Sequence, residues 1–445
     1  MRGIEAALKI LTQNNINEGS FASELLRKLA DREKMKAPDI SLASSLIYIF
    51  MRRRELWEKI AADYINAREK LPREVYIALI MGTGGILELR RFSEGVLING
   101  ILEHIKKNKA LTKYSGLINA VLRRINEAGT ERLERFRKSP SLEGRAMWAG
   151  VPVWTLPAWL KSWPRPELNE LFESMNQPCN SSLRVSPGKS EELIKLLESG
   201  DIHFHESDLI SGALRLNETY FPSSIPGFKE GLCSVQSEGS IIAASIVKKY
   251  YSDKGLILDM CSGRGVKSGQ ILQENINANI ECWELSGKKS KSAESELSRL
   301  GVRDRAVMKT GDALSLNPES NPDFIILDAP CSCSGTWNRK PESKWRLNWS
   351  RLDNFALTQK KLLERALSLC DSGSFVLYIT CSLFKQENEN VIAEVLASNP
   401  DCVEMPLDFN FSGHKEFRRG KPYGMYILPV NAWLDGFYCS LIMKK

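Results

Sequence analysis

Gly255-Leu256-Ile257-Leu258-Asp259-Met260-Cys261-Ser262-Gly263-Arg264-Gly265-Val266-Lys267 is the stretch that decides the fold. Its first half is a short apolar run, read as a buried strand. Its second half is punctuated by glycine and leads into a helix reaching residue 275. The same alternation repeats downstream. Ile280-Glu281-Cys282-Trp283-Glu284-Leu285 gives a second strand, and residues 288–300 a helix. Ala306-Val307-Met308-Lys309 leads to Gly311-Asp312, and Phe324-Ile325-Ile326-Leu327 is a fourth strand. Residues 352–369 give a helix, 374–379 a fifth strand and 388–396 another helix, and 436–443 look like a closing strand. Strands alternating with helices imply a mostly parallel, doubly wound, Rossmann-like α/β sheet.

Upstream the pattern changes twice. Residues 181–229 read as a small α+β module, with strands at 182–185, 203–205 and 213–216 and a helix at 190–199. His203 and His205 alternate within it and have no ligand partners at metal spacing, so they are read as structural. Residues 4–127 read as all helix, with apolar residues at helical spacing in Ile4, Leu8, Leu11 and in Leu97, Ile98, Ile101, Ile105. Breaks are expected at Asn14-Asn15, Lys36-Ala37-Pro38, Leu71-Pro72 and Gly82-Thr83-Gly84-Gly85. A polar, basic stretch at 131–145 reads as a linker. The dense tryptophans Trp148, Trp154, Trp159 and Trp163, among prolines, are expected to be packing anchors rather than base-stacking platforms. The expected domains are therefore 1–140, all helix; 141–233, a linker and a small α+β RNA-recognition-like module; and 234–445, the Rossmann-like domain.

The composition is that of an ordinary globular protein, 43% hydrophobic and 26% charged over 445 residues. No run of 18 apolar residues occurs, and the N-terminus lacks a signal-peptide core, so a cytoplasmic chain with no membrane association is expected. The ten cysteines would then stay reduced. None forms a C-x-x-C pair and there are four histidines, so no metal is expected. The charge is uneven. Residues 1–140 hold 26 Lys+Arg against 17 Asp+Glu, a net of +9, while the remainder holds 35 against 37, a net of −2. Arg52-Arg53-Arg54, Arg90-Arg91, Lys106-Lys107 and Arg123-Arg124 supply much of the excess. A basic first third on a neutral body points to a polyanion partner.

Three constellations carry chemistry. The loop Cys261, Ser262, Gly263, Arg264, Gly265, Val266, Lys267 follows the first strand, where glycines let a cofactor approach and a helix N-terminus favours negative charge. Glu284 ends the second strand 19 residues after Gly265, positioned to accept a ribose diol. Asp312 follows the third strand and can receive an amino group such as that of adenine. G-x-G-x-x-G is missing, so S-adenosylmethionine is favoured over NAD. In the second constellation, Asp328-Ala329-Pro330-Cys331-Ser332-Cys333-Ser334-Gly335 sets an acid and a thiol at the lip of the fourth strand, because Pro330 cannot continue it. In the third, Thr380-Cys381-Ser382, then Glu387-Asn388-Glu389, sets a second thiol at the next strand's lip. A thiolate suits a pyrimidine, because C5 of cytosine is not nucleophilic until something adds at C6.

These motifs resemble the RNA 5-methylcytosine methyltransferases, most specifically in Asp328-Ala329-Pro330-Cys331-Ser332, Lys340-Pro341-Glu342-Ser343-Lys344-Trp345 and Thr380-Cys381-Ser382. The start resembles the NusB-type RNA-binding domain, in residues 45–53 and in Leu117-Ile118-Asn119-Ala120-Val121-Leu122-Arg123-Arg124. The combination is similar to the bacterial ribosomal RNA branch of the family over nearly the whole chain. The resemblance implies that Cys381 adds to cytosine C6, that Asp328 hydrogen-bonds the base near N3 and N4, and that Cys331 assists C5 proton removal and product release. It implies that the 261–267 loop, Glu284, Asp312 and Asp328 hold S-adenosylmethionine, and that Arg339, Lys344 and Arg346 contact RNA phosphates. The substrate implied is 16S ribosomal RNA with an accessible or flipped-out cytosine, methylated by a monomer. A transfer RNA enzyme of the same chemistry and a non-catalytic ribosome-assembly protein are the alternatives. The chain departs from the family's Cys-Ala-Ala-Pro-Gly-Gly-Lys loop at Arg264 and Val266, and it carries Cys333 where glycine is usual.

Overall fold

The computed structural model describes residues 2–13, 22–65, 71–89, 94–177, 179–252, 255–407 and 415–445. Asn14-Asn15 and the Arg90-Arg91 pair lie outside them. The chain forms two compact units, Met1–Asn176 with Trp337–Arg346, and Gln177–Thr336 with Leu347–Lys445.

The first unit is helical. Its helices are α1 (Arg2–Thr12), α2 (Ala22–Glu33), α3 (Ala37–Arg52), α4 (Arg54–Ala62), α5 (Arg73–Glu88), α6 (Glu94–Lys106), α7 (Ser115–Arg137), α8 (Leu142–Ala149), α9 (Leu156–Ser162) and α10 (Arg165–Met175). Pro38 sits in the first turn of α3, where a missing N–H is harmless. The core is aliphatic, with Leu8, Leu46, Leu79, Ile101, Leu122 and Ile125 all buried.

The expected break at Gly82-Thr83-Gly84-Gly85 is helix, fully buried within α5. The glycines serve close packing. A Cβ on Gly82 would lie 2.8 Å from Leu122, on Gly84 2.8 Å from Ile49, and on Gly85 2.6 Å from Leu97. Absent side chains let α5 approach its neighbours, and tertiary contact outweighs glycine's poor helix propensity. The expected linker at 131–145 is the end of α7 and the start of α8, and the separate helices α9 and α10 follow it as far as Met175. Ser141 caps α8 by accepting the Gly144 N–H at 3.0 Å. The tryptophans do anchor this region. Trp159 and Trp163 are buried, and Trp159 stacks on Phe172 and on Trp337, with centroids 6.0 and 5.7 Å away.

The second unit opens with an antiparallel sheet of β1 (Ser182–Val185), β2 (Phe204–Glu206), β3 (Ala213–Leu216) and β4 (Cys233–Val235) in the order β2-β3-β1-β4, with α11 (Ser190–Ser199). His205 meets Trp433 edge-on at 5.1 Å. The module is tied to the large sheet's helices by buried ion pairing. Arg215 donates to both oxygens of Glu238 at 2.6 and 2.8 Å.

The large sheet follows with α12 (Glu238–Tyr250), β5 (Leu256–Asp259), α13 (Val266–Glu274), β6 (Asn279–Glu284), α14 (Gly287–Arg299), β7 (Ala306–Thr310) and β8 (Pro322–Asp328). Next come α15 (Glu342–Arg346, in the first unit), α16 (Trp349–Leu369), β9 (Phe375–Thr380), α17 (Glu389–Ser398), β10 (Cys402–Met405), β11 (Phe417–Arg419), β12 (Met425–Ile427) and β13 (Phe437–Lys444). The order is β11-β12-β13-β9-β8-β5-β6-β7, with β10 on β13. β7, β6, β5, β8 and β9 are mutually parallel, and β13 runs antiparallel to β9. Phe324–Leu327 and Val376–Ile379 are fully buried, as strands covered on both faces must be. The connection order reverses between β5 and β8. Ligands of such sheets bind in the crevice at that reversal, beyond the strands' C-terminal ends. No helix among the described residues is long and apolar enough to cross a membrane.

Candidate active site

Asp259, Asp328 and Thr380 end three adjacent parallel strands, so the residues just past them share one lip. Past β5, Ser262 is held by its N–H to Trp283 O at 2.9 Å, and Gly265 N–H donates to Ser262 O at 2.9 Å. Gly263 and Gly265 have φ of 59° and 74°, the left-handed region that favours glycine. A Cβ on Gly265 would lie 3.0 Å from Ala293 Cβ in α14, whereas one on Gly263 would meet nothing nearer than Cys261 O at 4.0 Å. The first glycine therefore leaves open room above the backbone, and the second lets helix meet helix. Val266 begins α13 and Arg264 is exposed.

Glu284 is nearly buried at the end of β6 and accepts the Ser286 N–H at 2.9 Å. Asp312 is exposed beyond β7 and uses Oδ1 to accept Leu314 N–H at 3.0 Å. Open backbone at Gly263, a carboxylate on the next strand and an acid on the third fit an adenosine-bearing group with a diol and an amino edge. Asp259 lies beneath the loop, accepting the Ser268 hydroxyl at 2.6 Å, and burial pushes its carboxyl up to about 6. Burial, with Asp259 and Asp328 nearby, also pushes the Cys261 thiol well up.

The two thiols singled out from sequence come together. Cys331 Sγ and Cys381 Sγ are 3.3 Å apart. Lys267 Nζ donates to Asp328 Oδ2 at 2.6 Å beside them. Burial opposes the Lys267 charge, but the Asp328 carboxylate outweighs it and holds the ammonium above the ordinary lysine value. Hydrogen bonding to Cys333 and then to Cys381, with burial, holds the Cys331 thiol well above the ordinary value.

What fixes this geometry is Glu387, fully buried. Its Oε1 accepts Ser332 N–H at 2.8 Å and Gln359 Nε2–H at 3.0 Å, and its Oε2 accepts the hydroxyls of Ser332 and Ser382. One carboxylate thus ties the residue after Cys331 to the residue after Cys381. Asn388 supports the second loop by donating to Ser382 O at 2.9 Å. Gly335 N–H donates to Cys381 O at 2.9 Å. The Glu387-Asn388-Glu389 phrase was visible in sequence, but Glu387 lacked a role because the partners that make it a bridge, Ser332 and Gln359, lie 55 and 28 residues upstream.

Arg339, Lys344 and Arg346 fall in the segment that belongs to the first unit. Lys344 is 2% exposed and donates to Arg52 O at 2.7 Å and to Gly150 O. It satisfies two helix-end carbonyls, which corrects its expected phosphate contact. Burial, with Arg52 and Arg53 nearby, pulls its amine well below the ordinary lysine value. Arg339 and Arg346 are partly exposed.

Comparison with known proteins agrees with this arrangement. The family model for 16S rRNA methyltransferase RsmB/F matches residues 249–443, and that of the NusB family matches residues 4–127. The last part of the chain thus matches the RsmB/F methyltransferases and its first part the NusB family. Ribosomal RNA small subunit methyltransferase B of Proteus mirabilis is 27% identical over 100% of this chain and 99% of its own. Its counterpart in Cronobacter sakazakii is 29% identical over 75% of this chain and 74% of its own. The crystal structure of PH0851 shares the fold with a TM-score of 0.79 at 23% identity, over 100% of this chain and 98% of that one. The chain is thus an α/β Rossmann-like domain preceded by a small α+β module and an all-helical region that matches the NusB family.

Proposed function

We propose that this protein is a methyltransferase of the RsmB/F type that methylates C5 of a cytosine in small-subunit ribosomal RNA, through a covalent bond between Cys381 and C6. The observation that carries the reading is the pair of sulfurs 3.3 Å apart beside the Lys267–Asp328 ion pair. The 261–267 loop, Glu284 and Asp312 would hold S-adenosylmethionine, which supplies an electrophilic methyl group when bound. Cys381, as thiolate, adds to C6 of the base. That addition moves electron density to C5 and to the N3 edge. Lys267 supplies positive charge that favours the thiolate. Asp328 accepts from the N4 amino group and relays a proton from the Lys267 ammonium to N3, which takes up the charge that reaches it; N3 returns that proton through Asp328 once C5 is substituted. After C5 is substituted, Cys331 assists loss of the C5 proton. The electron pair of that C–H bond reforms the C5–C6 double bond, and the Cys381 sulfur leaves. A thiol held above its ordinary pKa gives, once ionised, the stronger base. The exposed pairs Lys106-Lys107 and Arg123-Arg124 offer RNA its phosphate contacts.

The test is transfer of label from methyl-labelled S-adenosylmethionine to unmodified small-subunit ribosomal RNA, with transfer RNA in parallel. Label at cytosine C5 of the ribosomal RNA is expected. Label in transfer RNA alone would overturn the substrate, and no label with RNA binding intact would overturn the reaction.

A further inference from the structure

Cys333 has no part in that chemistry, yet it completes a cluster. The Sγ atoms of Cys331, Cys333 and Cys381 all lie within 4.8 Å of one another, and among the described residues they are the sole such group of possible metal donors. Sequence spacing hides it, because Cys331-x-Cys333 is too short for a C-x-x-C pair and Cys381 lies 50 residues on. We propose that Cys331, Cys333 and Cys381 bind a soft d10 cation, Zn²⁺, with three thiolates and one open position.

The dimensions fit. Zinc–sulfur bonds near 2.3 Å at tetrahedral angles separate sulfurs by about 3.8 Å. One pair here is 3.3 Å apart and none exceeds 4.8 Å, so each sulfur reaches its place by a small side-chain movement. The loops are already tied together. Glu387 bridges Ser332 and Ser382, and Thr336 N–H donates to Cys333 O at 2.9 Å. Cys333 holds φ of 57°, a conformation that favours glycine, and so presents a sulfur where the family's glycine has none. On binding, three S–H protons leave to solvent as three Zn–S bonds form. Three thiolates and Zn²⁺ carry one net negative charge, which the Lys267 ammonium faces. A bound metal engages the sulfurs of both Cys331 and Cys381, so binding excludes attack on cytosine; that consequence alone rests on the proposed reaction.

The experiment uses the reduced full-length protein, without RNA or S-adenosylmethionine. Co²⁺ is titrated while the thiolate-to-cobalt charge-transfer absorption is followed, and Zn²⁺ is then added to displace it. Wild type is expected to take up one Co²⁺ per chain. Cys333→Gly, whose backbone the left-handed φ suits, and Cys333→Ser are each expected to lose about one third of the absorption and at least about tenfold in affinity. No charge-transfer band in wild type, or wild-type affinity in both variants, would overturn the proposal. Metal binding is read without methylation, so failure of the reaction and failure of the metal site are distinguished.

Discussion

Replacing Glu387 should separate the positioning of the thiols from the thiols themselves. Its carboxylate accepts four hydrogen bonds, two from backbone and amide donors and two from hydroxyls. Glu387→Ala leaves all four buried donors without that acceptor, at about 1–3 kcal/mol each when independent. Gln359 keeps Pro330 O, and the hydroxyls of Ser332 and Ser382 keep each other, so the Ser332 N–H is the donor left bare and a net loss of about 1–3 kcal/mol is expected. Glu387→Gln keeps the volume and one acceptor oxygen, and the serine hydroxyls can rotate to accept from the new amide. It should cost about 1–2 kcal/mol through loss of charge-assisted bonding. Its effect on rate should be larger. Ser332 and Ser382 flank the two cysteines, so loosening the bridge relaxes the sulfur separation, and misplacement by about 1 Å can cost on the order of a hundredfold. Thermal unfolding and single-turnover methyl transfer measure the two effects. A Gln variant with wild-type turnover, or an Ala variant with wild-type stability, would refute the bridge as the positioning element.

Three other perturbations probe separate parts of the account. Lys344→Met should leave the salt dependence of RNA binding unchanged. Folded Lys344 binds its proton less tightly than the unfolded chain, so wild type should gain stability on this variant as pH rises toward 10.5, and a salt slope lower by about one would instead restore the phosphate contact. Asp259 has its folded value raised to about 6 from 3.8, so its contribution is present below 3.8 and lost as pH rises through 6. Relative to Asp259→Asn, wild type should weaken by about 2 kcal/mol between about pH 4 and pH 7 in chemical denaturation, and a flat difference would contradict the burial argument. Gly265→Ala places a methyl 3.0 Å from Ala293 Cβ at φ of 74°, so about 2 kcal/mol of destabilisation and weaker S-adenosylmethionine binding by calorimetry are expected, and an unperturbed variant would show that α14 yields.

Much of this was legible in the residues. The strand at Phe324–Leu327 and the helix at Ser190–Ser199 were visible because each is a short element with a clear apolar period and strong flanking breaks. Cys331 and Cys381 were visible as a pair because both follow strand ends of one sheet. What stayed hidden depends on distant partners. Gly82–Gly85 looks like a turn until Leu122, Ile49 and Leu97 close on it. Lys344 looks like a phosphate ligand until the carbonyls of Arg52 and Gly150 are found around it. The strands β10, β11 and β12 are three to four residues each, too short for an alternating pattern to register.

The central claim is the division of labour between the two thiols. Each is replaced by alanine, incubated with S-adenosylmethionine and substrate RNA, and denatured. Cys331→Ala should accumulate a protein–RNA adduct that survives denaturation, because Cys381 still attacks and release is blocked. Cys381→Ala should give neither adduct nor methylation. An adduct with Cys381→Ala and none with Cys331→Ala would reverse the roles, and methylation by both variants would remove the covalent step.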